Sequence, residues 1–202
     1  VKMQCWSKIN ATASFDNLYV EKLVEKPSLN EDEEKPTTSV LVNENFESYT
    51  TTAELTNENG WYWGMNDSAG KSSIVTEDTN KVFALNLDAN TDNISLLKGF
   101  TDVTDKYLKV SVDVKSSDTG LTVPLCLNDY SIFARFEGGK IIANETEITE
   151  YKADKWYNIT AYFDIAAKTY DVVITDDSGK KTILENATTD QTAIRSIKMQ
   201  CW

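Results

Sequence analysis

Polar and apolar residues alternate with period two along most of the chain. In Tyr107-Leu108-Lys109-Val110-Ser111-Val112-Asp113-Val114, Leu108, Val110, Val112 and Val114 share one face, and Lys109, Ser111 and Asp113 the other. Between Trp156 and Ile165 the apolar set is Tyr157, Ile159, Ala161, Phe163 and Ile165; Tyr170, Val172 and Ile174 repeat the pattern, as do Phe83, Leu85 and Leu87. Successive side chains of a strand point to opposite faces, so this is the signature of half-buried antiparallel strands. The turns agree. Glu137-Gly138-Gly139-Lys140 joins the run Tyr130–Phe136 to Ile141-Ile142, and Asp176-Asp177-Ser178-Gly179 joins 168–175 to Thr182-Ile183-Leu184. Both place glycine where a hairpin needs positive φ. The pattern predicts about thirteen or fourteen strands and no convincing helix, hence an all-β, two-sheet antiparallel β-sandwich.

The ends of the chain repeat each other. Residues 1–6 read Val-Lys-Met-Gln-Cys-Trp and residues 197–202 read Ile-Lys-Met-Gln-Cys-Trp, a match that includes rare Met, Cys and Trp. Copies a domain length apart point to tandem, nearly identical units, cut here out of phase. Residues 1–23 then form the terminal strand segment of one unit, and 40–202 most of the next. Between them, 24–39 hold Pro27, Pro36 and the acidic run Glu31-Asp32-Glu33-Glu34, and read as an exposed linker. Unit 40–202 lacks the strand that residues 7–23 copy. That segment either folds back to complete its own sandwich, the expected arrangement, or is donated to a neighbouring chain.

Composition narrows the chemistry. A hydrophobic fraction of 41% over 202 residues is enough to build a core and too much for a disordered chain. The absence of histidine excludes Ser-His-Asp and Cys-His nucleophiles and His-containing zinc sites. A net charge of −12 without a basic stripe repels phosphate backbones, so no nucleic-acid partner is expected. No apolar run approaches the ~20 residues that cross a bilayer, so no membrane insertion is expected either.

The stretch from Tyr151 to Asp164, followed by Lys168-Thr169-Tyr170-Asp171-Val172, resembles a hairpin of concanavalin A-like and laminin-G-like jelly rolls found in bacterial surface and carbohydrate-binding proteins. Asn45-Phe46-Glu47-Ser48-Tyr49 resembles the first strand of such domains, and Phe15-Asp16-Asn17-Leu18-Tyr19-Val20 their last. The resemblance implies a secreted or cell-surface jelly roll with a structural calcium where first and last strands meet. The candidate ligands carried over are Asp16 and Glu47, with Asn45 as a third; the alternative is that they are polar residues capping strand ends.

Aromatic residues supply the candidate ligand site. Trp61-Tyr62-Trp63 lies between Gly60 and Gly64; in a strand, Trp61 and Trp63 share one face and Tyr62 takes the other. Sugar rings stack on exposed Trp and Tyr faces while nearby Asn and Asp bind hydroxyls, although one face of this cluster can equally be core. Asn128-Asp129-Tyr130 precedes a strand, as a binding loop or a plain turn, and Trp156 projects opposite to Tyr157. Cys126 and Cys201 are either a disulfide or two buried thiols. Carboxylates at Glu145, Glu147 and Glu150 come nearest to a glycanase pair but lack the surrounding apolar and aromatic pattern, so no enzyme is expected. Two functions remain. One is a non-catalytic repeat that binds a polysaccharide or glycan as an adhesin or carbohydrate-binding module. The other is a stalk or filament repeat that links adjacent copies by strand complementation.

Overall fold

The computed structural model describes residues 9–27, 29, 37–64, 68–88, 93–104, 107–128 and 130–202. The strands are β1 (Ala11–Leu23), β2 (Thr37–Glu44), β3 (Trp61–Trp63), β4 (Ser72–Glu77), β5 (Asn80–Leu87), β6 (Ile94–Val103), β7 (Tyr107–Ser116), β8 (Val123–Leu127), β9 (Ser131–Glu137), β10 (Lys140–Ala143), β11 (Thr146–Glu150), β12 (Trp156–Asp164), β13 (Thr169–Asp176), β14 (Lys181–Thr188) and β15 (Ile194–Cys201). They form two antiparallel sheets. One runs β14-β13-β12-β7-β1-β5-β4, with β2 added to β1; the other runs β11-β10-β9-β8-β15-β6-β3.

The alternation read along the chain puts its apolar set between the sheets. Leu108, Val110, Val112 and Val114 of β7 are fully buried, as are Ile159 and Ala161 of β12, against Leu125, Phe133, Phe136 and Met199 of the facing sheet. Aromatic contacts tie the two layers. Phe133 meets Phe163 edge-on at 5.7 Å, and Phe136 meets Tyr157 at 6.0 Å. The β9–β10 hairpin turns on Gly138 and Gly139, at φ 57° and 78°, which a side chain would strain.

β1 organises the larger sheet. One edge pairs with β7 from Ala13 to Leu23. The other is split, with β5 on Ala11–Phe15 and β2 on Leu18–Leu23. The register slips between Asp16 and Tyr19, and Asn17 sits there at φ 48°, an irregularity that lets one strand serve two neighbours. Residues 11–23 therefore pair within their own chain. The second copy of the repeated hexapeptide ends in β15; the first, Val1–Trp6, lies outside the described residues.

Two expectations change, and the open choice for the cysteines is settled. Asn45–Tyr49 is not a strand but the turn after β2, with Phe46 at φ 57° and its ring fully buried. Strand β2 begins at Thr37, inside the segment read as linker. Cys126 and Cys201 are not bridged. Cys126 faces Lys198 across β8 and β15, and Cys201 lies three residues further on. An odd offset puts the two thiols on opposite faces, about 10 Å apart along the strand, beyond disulfide reach.

Candidate functional site

The outer face of the second sheet carries a groove of about 130 Å³. Its floor follows from register. Tyr62 of β3 lies beside Leu97 of β6, Leu97 beside Lys198 of β15, and Lys198 beside Cys126 of β8. One pleat along, Gln200 is opposite Ser95. Neighbouring strands are about 4.8 Å apart, so Tyr62 and Lys198 stand roughly 10 Å apart, about the reach of two linked sugar rings.

Tyr62 is 46% exposed and Tyr130 84% exposed, and they flank this floor. Glycine sets the position of the first ring. A Cβ on Gly99 would come within 3.1 Å of the Tyr62 ring, so any larger residue there would push the ring outward by a few tenths of an ångström. A Cβ on Gly64 would lie 1.8 Å from the Ser95 hydroxyl, and without one the Gly64 N–H donates to the Ser95 carbonyl at 2.9 Å, holding the end of β3 against β6. Gln200 Nε2 donates to Asn93 Oδ1 at 2.6 Å, fixing both amides at the groove's edge. The Lys198 ammonium stands 4.5 Å from the centre of the Tyr130 ring.

The groove collects some of the residues singled out in the sequence and not others. Tyr62, Trp63 and Tyr130 line it together. Trp63 is half-buried, its indole N–H donating to the Leu55 carbonyl at 3.1 Å. Trp61 is fully buried behind β3 and is core. Asn128 is a turn residue at φ 55°. Its amide donates to Gln191 and to the Ala193 carbonyl, and its Oδ1 accepts from the Arg195 N–H, so both of its donors are spent on the turn. Asp129 lies outside the described residues. Trp156 is on β12, in the other sheet, under the Lys115 ammonium at 4.9 Å. Lys198 and Gln200 were not anticipated. They are the polar alternates of Ile197, Met199 and Cys201, and period two puts them outside a strand that otherwise reads as core.

A larger cleft of about 530 Å³ opens where β11 meets the β12–β14 end of the other sheet. Several of its charges are already paired within the chain. Lys155 pairs with Asp177 at 2.7 Å, and Asp176 accepts the N–H groups of Ser178 and Lys180. The carboxylates at 145–150 are likewise paired. Arg135 holds Glu145 in a two-pronged bridge at 2.9 Å, and Lys140 reaches Glu150 at 2.8 Å. These cations hold both carboxyls below the ordinary glutamate range, opposite to what a general acid needs.

The proposed calcium ligands meet at the split edge of β1. Asp16 is buried and accepts the Asn17 backbone N–H at 2.8 Å and the Asn80 amide at 2.7 Å. Burial raises its pKa, and the nearby charges of Asp113 and Glu47 raise it further. Exposed Glu47 accepts the Lys81 backbone N–H at 2.7 Å, and the Asn45 Oδ1 accepts the Glu47 N–H at 3.3 Å. The Glu47 and Tyr49 carbonyls converge, each 2.9 Å from the Lys81 ammonium. Calcium takes six to eight oxygens. Here Asp16, Asp113 and Glu47 each already accept N–H groups of the chain, and the convergent carbonyls face an ammonium. Among the described residues no group of three or more Asp, Glu, His or Cys is gathered to hold a metal. These residues as placed do not fit calcium; the Lys81 ammonium supplies the positive charge at this junction. The thermal midpoint should therefore be unmoved by a calcium chelator. Lys81→Met should lower stability by about 1–3 kcal/mol, the scale of charge-assisted hydrogen bonds lost at a half-buried site. A midpoint that rises with added calcium would restore the metal.

No family model and no curated protein matches the chain. A solved sialidase structure is similar to it at 11% identity with a TM-score of 0.31, over 72% of this chain and 18% of that one.

Proposed function

We propose that this chain is a non-catalytic jelly-roll repeat of the concanavalin A-like type, secreted or displayed on a cell surface, that binds glycan through the groove on its second sheet. The observation that carries the reading is the pair of exposed tyrosines, Tyr62 and Tyr130, on either side of a floor bearing amide and ammonium donors. Apolar C–H faces of a pyranose would stack on the rings, and its hydroxyls would meet Gln200 and Asn93. The pairing of Glu145 and Glu150 with cations supports a role without catalysis.

The reading is tested on a glycan array and by affinity electrophoresis in polysaccharide gels. Tyr62→Ala and Tyr130→Ala should each weaken retention by about 1–2 kcal/mol, roughly 5–30-fold, with folding unchanged. Trp156→Ala, on the other sheet, should leave it intact. Retention lost only in Trp156→Ala would move the site to the other face.

A second reading has its own observation. The strand that completes the larger sheet belongs to a segment whose first six residues copy the end of β15. In a tandem array two identical strands would compete for each slot, and exchange between units would make a stalk or filament.

A further inference from the structure

Within the glycan reading, on which it rests, we infer that the groove selects a sugar bearing an anionic group, a carboxylate or a sulfate, with Lys198 as its counter-charge. Lys198 is only 8% exposed, at the centre of the floor between Leu97 and Cys126. No ion pair to a described residue neutralises it; its ammonium faces the Tyr130 ring at 4.5 Å. No carboxylate lines the groove among the described residues. In a chain of net charge −12, where Lys71, Lys109, Lys115, Lys140 and Lys155 pair with acids, Lys198 is the one buried lysine among the described residues.

Burying a charge is costly unless it is paired. The π face of Tyr130 offsets part of that cost, and an anion entering beside the ring would offset the rest. A neutral sugar cannot do so. Gln200 and Asn93 on one side, and Tyr62 two strands away, would hold the rest of the ring system, so the anionic group is placed at the Tyr130 end. The acidic surface outside the groove would repel polyanions in general, which confines recognition to a single charged sugar rather than a densely sulfated chain.

The test is calorimetric titration with matched pairs: lactose against sialyllactose, galactotetraose against tetragalacturonate, and lactose against its sulfated form. The carboxylated or sulfated member should bind about tenfold more tightly, the size of one charge-assisted hydrogen bond, and should lose most of that margin in about 0.5 M salt. Lys198→Gln should erase the margin between the members of each pair, and Lys198→Arg should keep it. A folded Lys198→Met, checked by its thermal midpoint, serves if the Gln variant does not fold. The two anionic classes are told apart by which pair shows the margin. Equal binding of neutral and anionic members would overturn the charge preference and leave the glycan reading standing. If every member of every pair fails to bind, the glycan reading itself falls, and this inference with it.

Discussion

A chain lacking residues 1–23 is expected to be unable to fold as a monomer. β1 is an interior strand, paired with β7 along one edge and with β5 and β2 along the other. It buries Phe15, Leu18 and Val20 completely, with the Phe15 ring 6.2 Å from Phe83. Those three side chains alone amount to roughly 5–9 kcal/mol of burial. A domain of this kind is stable by only about 5–15 kcal/mol in total. Removal would also leave β7, β5 and β2 with unpaired edges facing a vacant slot, the arrangement that recruits strands from other chains. The truncated chain should lose near-UV circular dichroism and sediment as concentration-dependent oligomers. A synthetic peptide of residues 9–23 should restore a monomeric, cooperatively unfolding species. The same peptide labelled at one end would report whether full-length chains exchange the strand, which is the behaviour the stalk reading requires. A truncated chain that stays monomeric with an unchanged thermal midpoint would mean that β1 is not in the sheet.

How far this arrangement could be read from sequence differs by element, for physical reasons. Alternation in 107–114 and 156–165 identified the inward faces of β7 and β12, because every second residue there is apolar and the structure buries those residues. It could not say that β1 lies between β5 and β7, since pleat period fixes a strand's faces and not its neighbours. Asn45–Tyr49 reads as a strand through its resemblance to jelly-roll first strands, although its aromatics stand three residues apart and not two. What decides its conformation is the burial of the Phe46 ring against Trp61 and Phe83, which holds a non-glycine residue at φ 57°. In the groove, the i, i+2 relation of Trp61 and Trp63 was legible, but which of the two faces is inward was not, since all three side chains are large aromatics. Lys198 was hidden for a different reason. Its neighbours Ile197 and Met199 make β15 read as core, and the strands and ring beside it, Leu97 of β6, Cys126 of β8 and Tyr130, 68 positions away, come together only once β15 pairs with β6 and β8.

Trp61 against Tyr62 gives the sharpest contrast between adjacent residues. Trp61→Ala should cost about 3–5 kcal/mol, the range for deleting a buried aromatic, and lower the midpoint by roughly 6–20 °C for a domain of this size. The Trp61 ring lies 5.7 Å from Phe46, its indole N–H donates to the Tyr49 hydroxyl at 3.2 Å, and the Lys98 ammonium covers it at 4.6 Å. Lys98 is partly buried, which lowers its pKa, and donates to the Asn59 carbonyl at 2.6 Å. Losing the ring therefore loosens the chain on both sides, the turn after β2 through Phe46 and Tyr49 and the approach to β3 through Lys98 and Asn59. Tyr62→Ala removes a ring of similar size one residue away, yet should cost at most about 1 kcal/mol, because that ring already lies half in water against Gly99. Binding should show the opposite ranking. Tyr62→Ala loses a stacking face, whereas Trp61→Ala, measured well below its lowered midpoint, retains one. Thermal unfolding and glycan titration on the same two variants separate the contributions. If Tyr62→Ala proved the more destabilising of the two, β3 would have to be turned over, with Trp61 facing the groove and Tyr62 the core.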